Sequence, residues 1–229
     1  MASTDVRPAP SRVPGARPVG RAAVPIAPEG WPFVLVPLLA ALGLLALGWP
    51  RAAVVLGLVA AFMLFFFRDP ERTPPATAGA IVAPADGRVI EVREGVTDPF
   101  VGEARQVVIF LSPLDVHVNR AAIAGRVVRV ERRRGGFRPA YRPDADANEQ
   151  VSIALEGESA RVLMRQVAGV LARRIVCRVR EGERLGLGER FGIIKFGSRM
   201  DVVMPARAQV TVRAGDRVRA GESVVAVLP

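Results

Sequence analysis

Gly182-Glu183-Arg184-Leu185-Gly186-Leu187-Gly188-Glu189 and Gly215-Asp216-Arg217-Val218-Arg219-Ala220-Gly221-Glu222 follow one pattern. In each, a glycine-bounded turn leads into a short apolar run, Phe191 to Phe196 or Ser223 to Leu228. A weaker pair, Gly87-Arg88-Val89-Ile90-Glu91-Val92 and Gly125-Arg126-Val127-Val128-Arg129-Val130, has the same character. Glycines at both ends of brief Val- and Ile-rich runs predict tight turns between strands. Further runs of this kind are Ile81-Val82, Gln106 to Leu111, Val151 to Leu155, Arg161 to Val167 and Arg174 to Val179. No long amphipathic helix interrupts them. The region is therefore predicted to be mostly β, a flattened barrel-like sandwich of the kind found in lipoyl and biotinyl carrier domains. That analogy concerns fold and carries no activity.

Upstream the composition changes. Trp31 to Trp49 carries no charge, and as a helix it would span about 28 Å, close to the hydrocarbon thickness of a bilayer. Pro50-Arg51 breaks the run, and Ala52 to Phe67 is a second uncharged stretch of roughly 24 Å. Neither has a polar face, so residues 29–67 are predicted to form a helical hairpin in a membrane, with Trp31 and Trp49 at its interfaces. Residues 1–28, rich in Pro, Ala and Arg, cannot bury enough apolar surface to fold and are expected to be a disordered basic tail. Arginines before the hairpin, and Arg68 and Arg72 after it, outnumber the single Arg51 in its turn. Both ends, and the domain of residues 68–229, are thus expected on the cytoplasmic side of the inner membrane.

The net charge is +10, and Lys195 is the only lysine. Such an excess suits nucleic acid, an anionic membrane or an anionic substrate. With no zinc-finger spacing, no aromatic RNA-binding pattern and one tyrosine, nucleic acid is the weakest of these. Cys177 is the only cysteine and His117 the only histidine, so neither a disulfide nor a usual zinc site is expected. Any chemistry must come from elsewhere.

Gly197-Ser198 lies between two apolar runs in Phe191-Gly192-Ile193-Ile194-Lys195-Phe196-Gly197-Ser198-Arg199-Met200-Asp201-Val202. As a bare dipeptide it is an ordinary turn. A serine hydroxyl can also attack the carbonyl before it, and a glycine there leaves that carbonyl open. Such a serine needs a base. His117, in Ser112-Pro113-Leu114-Asp115-Val116-His117, is the only imidazole. Asp115 shares its face if the segment is extended, and Asp86, in Pro84-Ala85-Asp86-Gly87, is a second carboxylate that could orient it. On the residues alone, Asp86 reads first as a turn residue before glycine.

These segments resemble the short bacterial form of the phosphatidylserine decarboxylase family. The resemblance rests on Phe66-Phe67-Arg68-Asp69-Pro70-Glu71-Arg72, Pro84-Ala85-Asp86-Gly87, the Ser112-to-His117 block, Asn148-Glu149-Gln150 and Phe196-Gly197-Ser198-Arg199. It implies a self-processing triad of Asp86, His117 and Ser198, with cleavage between Gly197 and Ser198 into a β chain, 1–197, and an α chain, 198–229. It further implies a pyruvoyl cofactor made from Ser198, no metal, and a phospholipid substrate decarboxylated through a Schiff base. Lys195, Arg199, Arg138 and Arg142 are candidates to hold the substrate's carboxylate or phosphate. Rival readings are a noncatalytic membrane-anchored carrier or adaptor with a lipoyl-like domain, and a decarboxylase of an archaeal-type serine phospholipid. A homo-oligomer is compatible with this reading.

Overall fold

A computed structural model describes residues 26–170, 174–195 and 197–229. Most of the expected basic tail, residues 1–25, lies outside them. A single turn of 3-10 helix, Pro28–Gly30, leads directly into α1 (Trp31–Ala46). A break at Leu47-Gly48-Trp49 separates it from α2 (Pro50–Phe66). Together Pro28–Ala46 is long and apolar enough to cross a membrane, while α2 is shorter. The two helices pack on each other, yet Val36, Leu39 and Leu58 on their outer sides are all more than 60 % exposed. Ala27 and Ile26 return to the end of this hairpin: Ala27 N donates to Phe67 O at 2.8 Å, and Ile26 bridges to Arg68.

The rest is mostly β. The strands are β1 (Ala80–Val82), β2 (Gly87–Asp98), β3 (Gly102–Leu111), β4 (Val118–Arg120), β5 (Gly125–Arg133), β6 (Gln150–Glu156) and β7 (Arg161–Ala168). They continue with β8 (Ile175–Cys177), β9 (Arg184–Leu185), β10 (Arg190–Ile194), β11 (Ser198–Pro205), β12 (Gln209–Val210), β13 (Arg217–Val218) and β14 (Val224–Val227). Eight form one curled sheet, a half-barrel in the order β13-β2-β3-β11-β7-β6-β5-β9. Two three-stranded sheets, β1-β14-β12 and β4-β10-β8, complete the domain.

The repeated sequences occupy equivalent places. Gly182 and Gly188 in one copy, and Gly215 and Gly221 in the other, all have positive φ. Gly182 N donates to Val127 O and Val127 N to Glu183 O; in the other copy Gly215 N donates to Val89 O and Val89 N to Asp216 O. The alternation of the strands sends Val107, Ile109, Val162, Met164, Met200, Val202 and Met204 to one buried core. A second cluster joins the hairpin to the β domain: Phe66, Phe67 and Ala27 bury themselves against Val116, Val118 and Ile193. At roughly 25 cal/mol per Å² of apolar area, two buried phenylalanines make this a firm attachment and not a loose tether.

Candidate active site

The Gly197-Ser198 pair sits where β10 gives way to β11. Phe196 lies outside the described residues. Gly197 has φ +70°, a backbone conformation that side chains disfavour. Ser198 opens β11 between Leu111 at the end of β3 and Ala168 at the end of β7. It faces the interior with Met200, two residues on, and is fully buried. Its Oγ has no hydrogen-bond partner among the described residues. Leaving a buried hydroxyl unpaired costs about 1–3 kcal/mol, so the position is a poor one for a purely structural serine. The carbonyl oxygen of Gly197 rests on Gly169, where a Cβ would come within 2.3 Å of it.

His117 reaches the same point from the loop before β4. Its Nδ1 lies 2.9 Å from the backbone oxygen of Asp115. A carbonyl only accepts, so Nδ1 carries the hydrogen and Nε2 keeps its lone pair. That lone pair accepts from Gly197 N at 3.4 Å. The ring is fully buried, with the Phe66 ring of α2 at 4.2 Å between centroids. Burial pushes the imidazole down to about 4; the Asp115 carbonyl and carboxylate oppose this, and Arg68 reinforces it. At neutral pH the ring is therefore uncharged, with its basic nitrogen turned to the residue whose carbonyl the serine would attack.

Asp86 is bound elsewhere. Its carboxylate accepts from Arg72 Nη2 and from Ala220 N, both at 2.8 Å. Arg72 also reaches Glu222 at 2.8 Å. Burial raises the Asp86 pKa, against the pull of Ala220 N–H and Arg72. Both imidazole nitrogens are taken, by Asp115 and Gly197, so Asp86 bonds to neither. The Asp115 carboxylate does not reach the ring either, since it caps Ser112 N and Oγ at 2.8 Å. The structure thus joins His117 and Ser198 at Gly197 and ties the Asp86 carboxylate, just before β2, to the Ala220 turn that precedes β14.

A family model described as phosphatidylserine decarboxylase matches residues 59–226. A protein of Symbiobacterium thermophilum named phosphatidylserine decarboxylase proenzyme is 49% identical over 209 residues, covering 89% of this chain and 96% of its own. Proteins of the same name from Prosthecochloris aestuarii and Nitratidesulfovibrio vulgaris are 47% and 45% identical, over 75% and 89% of this chain and 80% and 94% of their own. The chain belongs to the phosphatidylserine decarboxylase family.

The candidate substrate-holding residues lie in different settings around Gly197 and Ser198. Lys195, two residues before Gly197, is 8% exposed, and its Nζ lies 4.9 Å from the centre of the Phe33 ring in α1. Burial lowers its pKa, with Glu29 opposing. Arg138 and Arg142 are exposed on the loop before β6, and Arg138 pairs with Asp144 at 3.0 Å. Arg199 points away from Ser198, as the next residue in a strand must. It is buried with Asp201, Nε to Oδ1 2.8 Å, and also meets Asp146. An arginine committed to two carboxylates has little left for a substrate.

Other contributors were hidden in the sequence. A cleft of about 230 Å³ opens beside Gly197, lined by Phe110, Ala140, Tyr141, Gly169 and Val170 among others. Asn148 holds its wall: Nδ2 donates to Arg138 O at 2.8 Å and to Ala168 O at 2.7 Å. The Asn148-Glu149-Gln150 motif was the available signal for it. Gly169, after a β-strand, had none, because such a glycine resembles any turn glycine.

Proposed function

We propose that this chain is a membrane-attached phosphatidylserine decarboxylase that cleaves itself between Gly197 and Ser198 and converts Ser198 to its pyruvoyl group. One observation carries the reading: the unprotonated Nε2 of His117 is directed at Gly197, next to a buried serine hydroxyl with no described partner. The names of the relatives, proenzymes of phosphatidylserine decarboxylase, supply the substrate and the cleaved product. They favour this reading over a carrier, an adaptor or a decarboxylase of archaeal-type lipids.

The pyruvoyl group supplies a ketone that accepts the substrate's amine and takes up electrons as carbon dioxide leaves. The chain's residues prepare and surround it. His117 takes the Ser198 proton, and Asp115 O keeps the imidazole in the right tautomer. Gly169 leaves room for the Gly197 carbonyl as its carbon becomes tetrahedral. The cleft beside Gly197 offers an apolar approach for a lipid, and Lys195, Arg142 and the Asp144-paired Arg138 are candidate cations for its headgroup. Asp86 acts at a distance, by fastening Arg72 to the Ala220 turn of the α chain.

The exposed apolar sides of α1 and α2 support anchoring in a bilayer. The arginines flanking the hairpin favour the inner membrane with the β domain in the cytoplasm. The two like turn-strand units support relating that domain to the flattened barrels of lipoyl and biotinyl carriers. Intact mass of purified protein tests the central reading. A fragment of residues 198–229 with a pyruvoyl N-terminus is expected, together with conversion of phosphatidylserine to phosphatidylethanolamine. An active but uncleaved chain would sink it.

A further inference from the structure

One imidazole faces two opposite tasks. Self-cleavage needs an acceptor for the Ser198 hydroxyl proton, whereas decarboxylation ends with a proton delivered to carbon. In the uncleaved chain His117 suits only the first. Its Nδ1 hydrogen is tied to Asp115, and burial keeps Nε2 bare at neutral pH.

Cleavage alters that environment through its own product. Ser198 Oγ adds to the carbonyl carbon of Gly197, and its proton passes through His117 to the Ser198 nitrogen as the C–N bond breaks. The result is an ester. Removal of the Ser198 α-proton, with rupture of the Cβ–Oγ bond, expels Gly197 as a carboxylate that keeps Oγ as its second oxygen. The enamine left at residue 198 tautomerises to an imine. One water replaces the nitrogen, and ammonia departs. No oxidant is consumed, and a neutral carbonyl has become an anion.

That anion forms close to the imidazole. Gly197 N is 3.4 Å from Nε2, and the carbonyl carbon is two covalent bonds farther on, so it lies within about 6 Å. Its oxygen rests on Gly169, in the wall of the apolar cleft. Among the described residues, the other charged groups facing the ring are Asp115 on its own loop and Arg68 beyond α2. Beside Ser198 lie Leu111 of β3 and Ala168 of β7, and Ile194 of β10 donates its N–H to the His117 carbonyl; none of these side chains titrates. Lys195 is turned to Phe33.

We propose that the carboxylate created on Gly197 stays beside His117 and turns this imidazole from the base of self-cleavage into the acid of decarboxylation. The proposal rests on Gly197-Ser198 being the cleavage site. An opposite charge within ~4–6 Å typically raises the pKa of a cationic acid by about 1–3. Maturation would then arm the proton donor in the same step that makes the electrophile.

The single histidine makes the test direct. Protein carrying isotope-labelled histidine gives one imidazole signal, which can be titrated by NMR in detergent micelles. Uncleaved Ser198→Ala protein should titrate well below 6.5, and processed wild-type enzyme about 1–3 higher than that variant. A processed enzyme titrating no higher than the uncleaved variant therefore overturns the proposal. Intact mass of the same wild-type sample separates the two levels of the argument. Absence of cleavage at 197–198 overturns the site and the proposal together; correct cleavage with an unraised imidazole overturns the proposal alone.

Discussion

Phe66→Ala should make self-processing sensitive to pH. The Phe66 ring covers the imidazole of His117 at 4.2 Å, and burial is the largest cause of that group's low pKa. Holding the ring near 4 instead of 6.5 corresponds to roughly 3 kcal/mol against its protonation, at ~1.36 kcal/mol per pH unit. With a pKa near 4, more than about 99% of the imidazole is neutral at any pH from 6 to 8. Removing the aromatic cover admits water and relaxes the group toward 6.5. The neutral fraction would then be about 97% at pH 8 and about 24% at pH 6. Wild-type processing should therefore be level between pH 6 and 8, while the variant slows about fourfold toward pH 6. Phe66→Leu, which keeps an apolar cover, should behave like wild type. The assay is pulse-labelled synthesis into detergent micelles, a shift to each pH, and timed samples on a denaturing gel. Identical pH profiles for wild type and Phe66→Ala would refute the idea that the hairpin tunes this base.

Ser198→Ala should accumulate as one unprocessed chain, because no Oγ remains; normal cleavage on a gel would move the scissile bond elsewhere. Gly169→Ala should block processing while leaving the fold intact, since the new Cβ would stand 2.3 Å from the Gly197 oxygen; circular dichroism and a gel check both halves. Asp86→Ala strands the Ala220 N–H and removes one of the two carboxylates on Arg72, costing about 1–3 kcal/mol in denaturant stability, with slower processing as the consequence. Full stability with no processing would instead give Asp86 a direct part in the chemistry. Deleting residues 1–67 uncovers Val116, Val118 and Ile193 and should slow cleavage in a chain that still folds; an unchanged rate by gel would reduce the hairpin to an anchor.

The parts of the fold that depend on local order were legible in the sequence. The paired motifs at 182–189 and 215–222 announced themselves through glycines, and each forms the same turn, bonded to its own partner strand. The runs at 106–111, 151–155 and 161–167 became β3, β6 and β7 with small changes of boundary. Closure was not legible, because the central position of β11 depends on pairing with strands about 35 and 95 residues away in sequence. The site divides similarly. His117 and Ser198 were singled out by residue type, and the chain offers no other imidazole. Their meeting point, and the backbone oxygen that holds the ring, belong to the tertiary structure. Asp115 was noticed for its carboxylate but contributes its carbonyl. Gly169 matters through a contact with Gly197 that neither residue's neighbours foretell.

Strand β11 lies in the middle of the eight-stranded sheet, hydrogen-bonded to β3 on one side and β7 on the other. Cutting the backbone just before it would not set it free. The severed piece would still be stitched along both borders, and its Met200, Val202 and Met204 would still be embedded in the core. Farther along, the same piece supplies β13 to β2 and β14 to β1. Two polypeptides would thus share one fold, and neither could leave without dismantling it. Such an enzyme cannot exchange a spent segment for a fresh one. Each molecule would be charged once, and damage to its reactive terminus could be made good only by synthesis of a new chain.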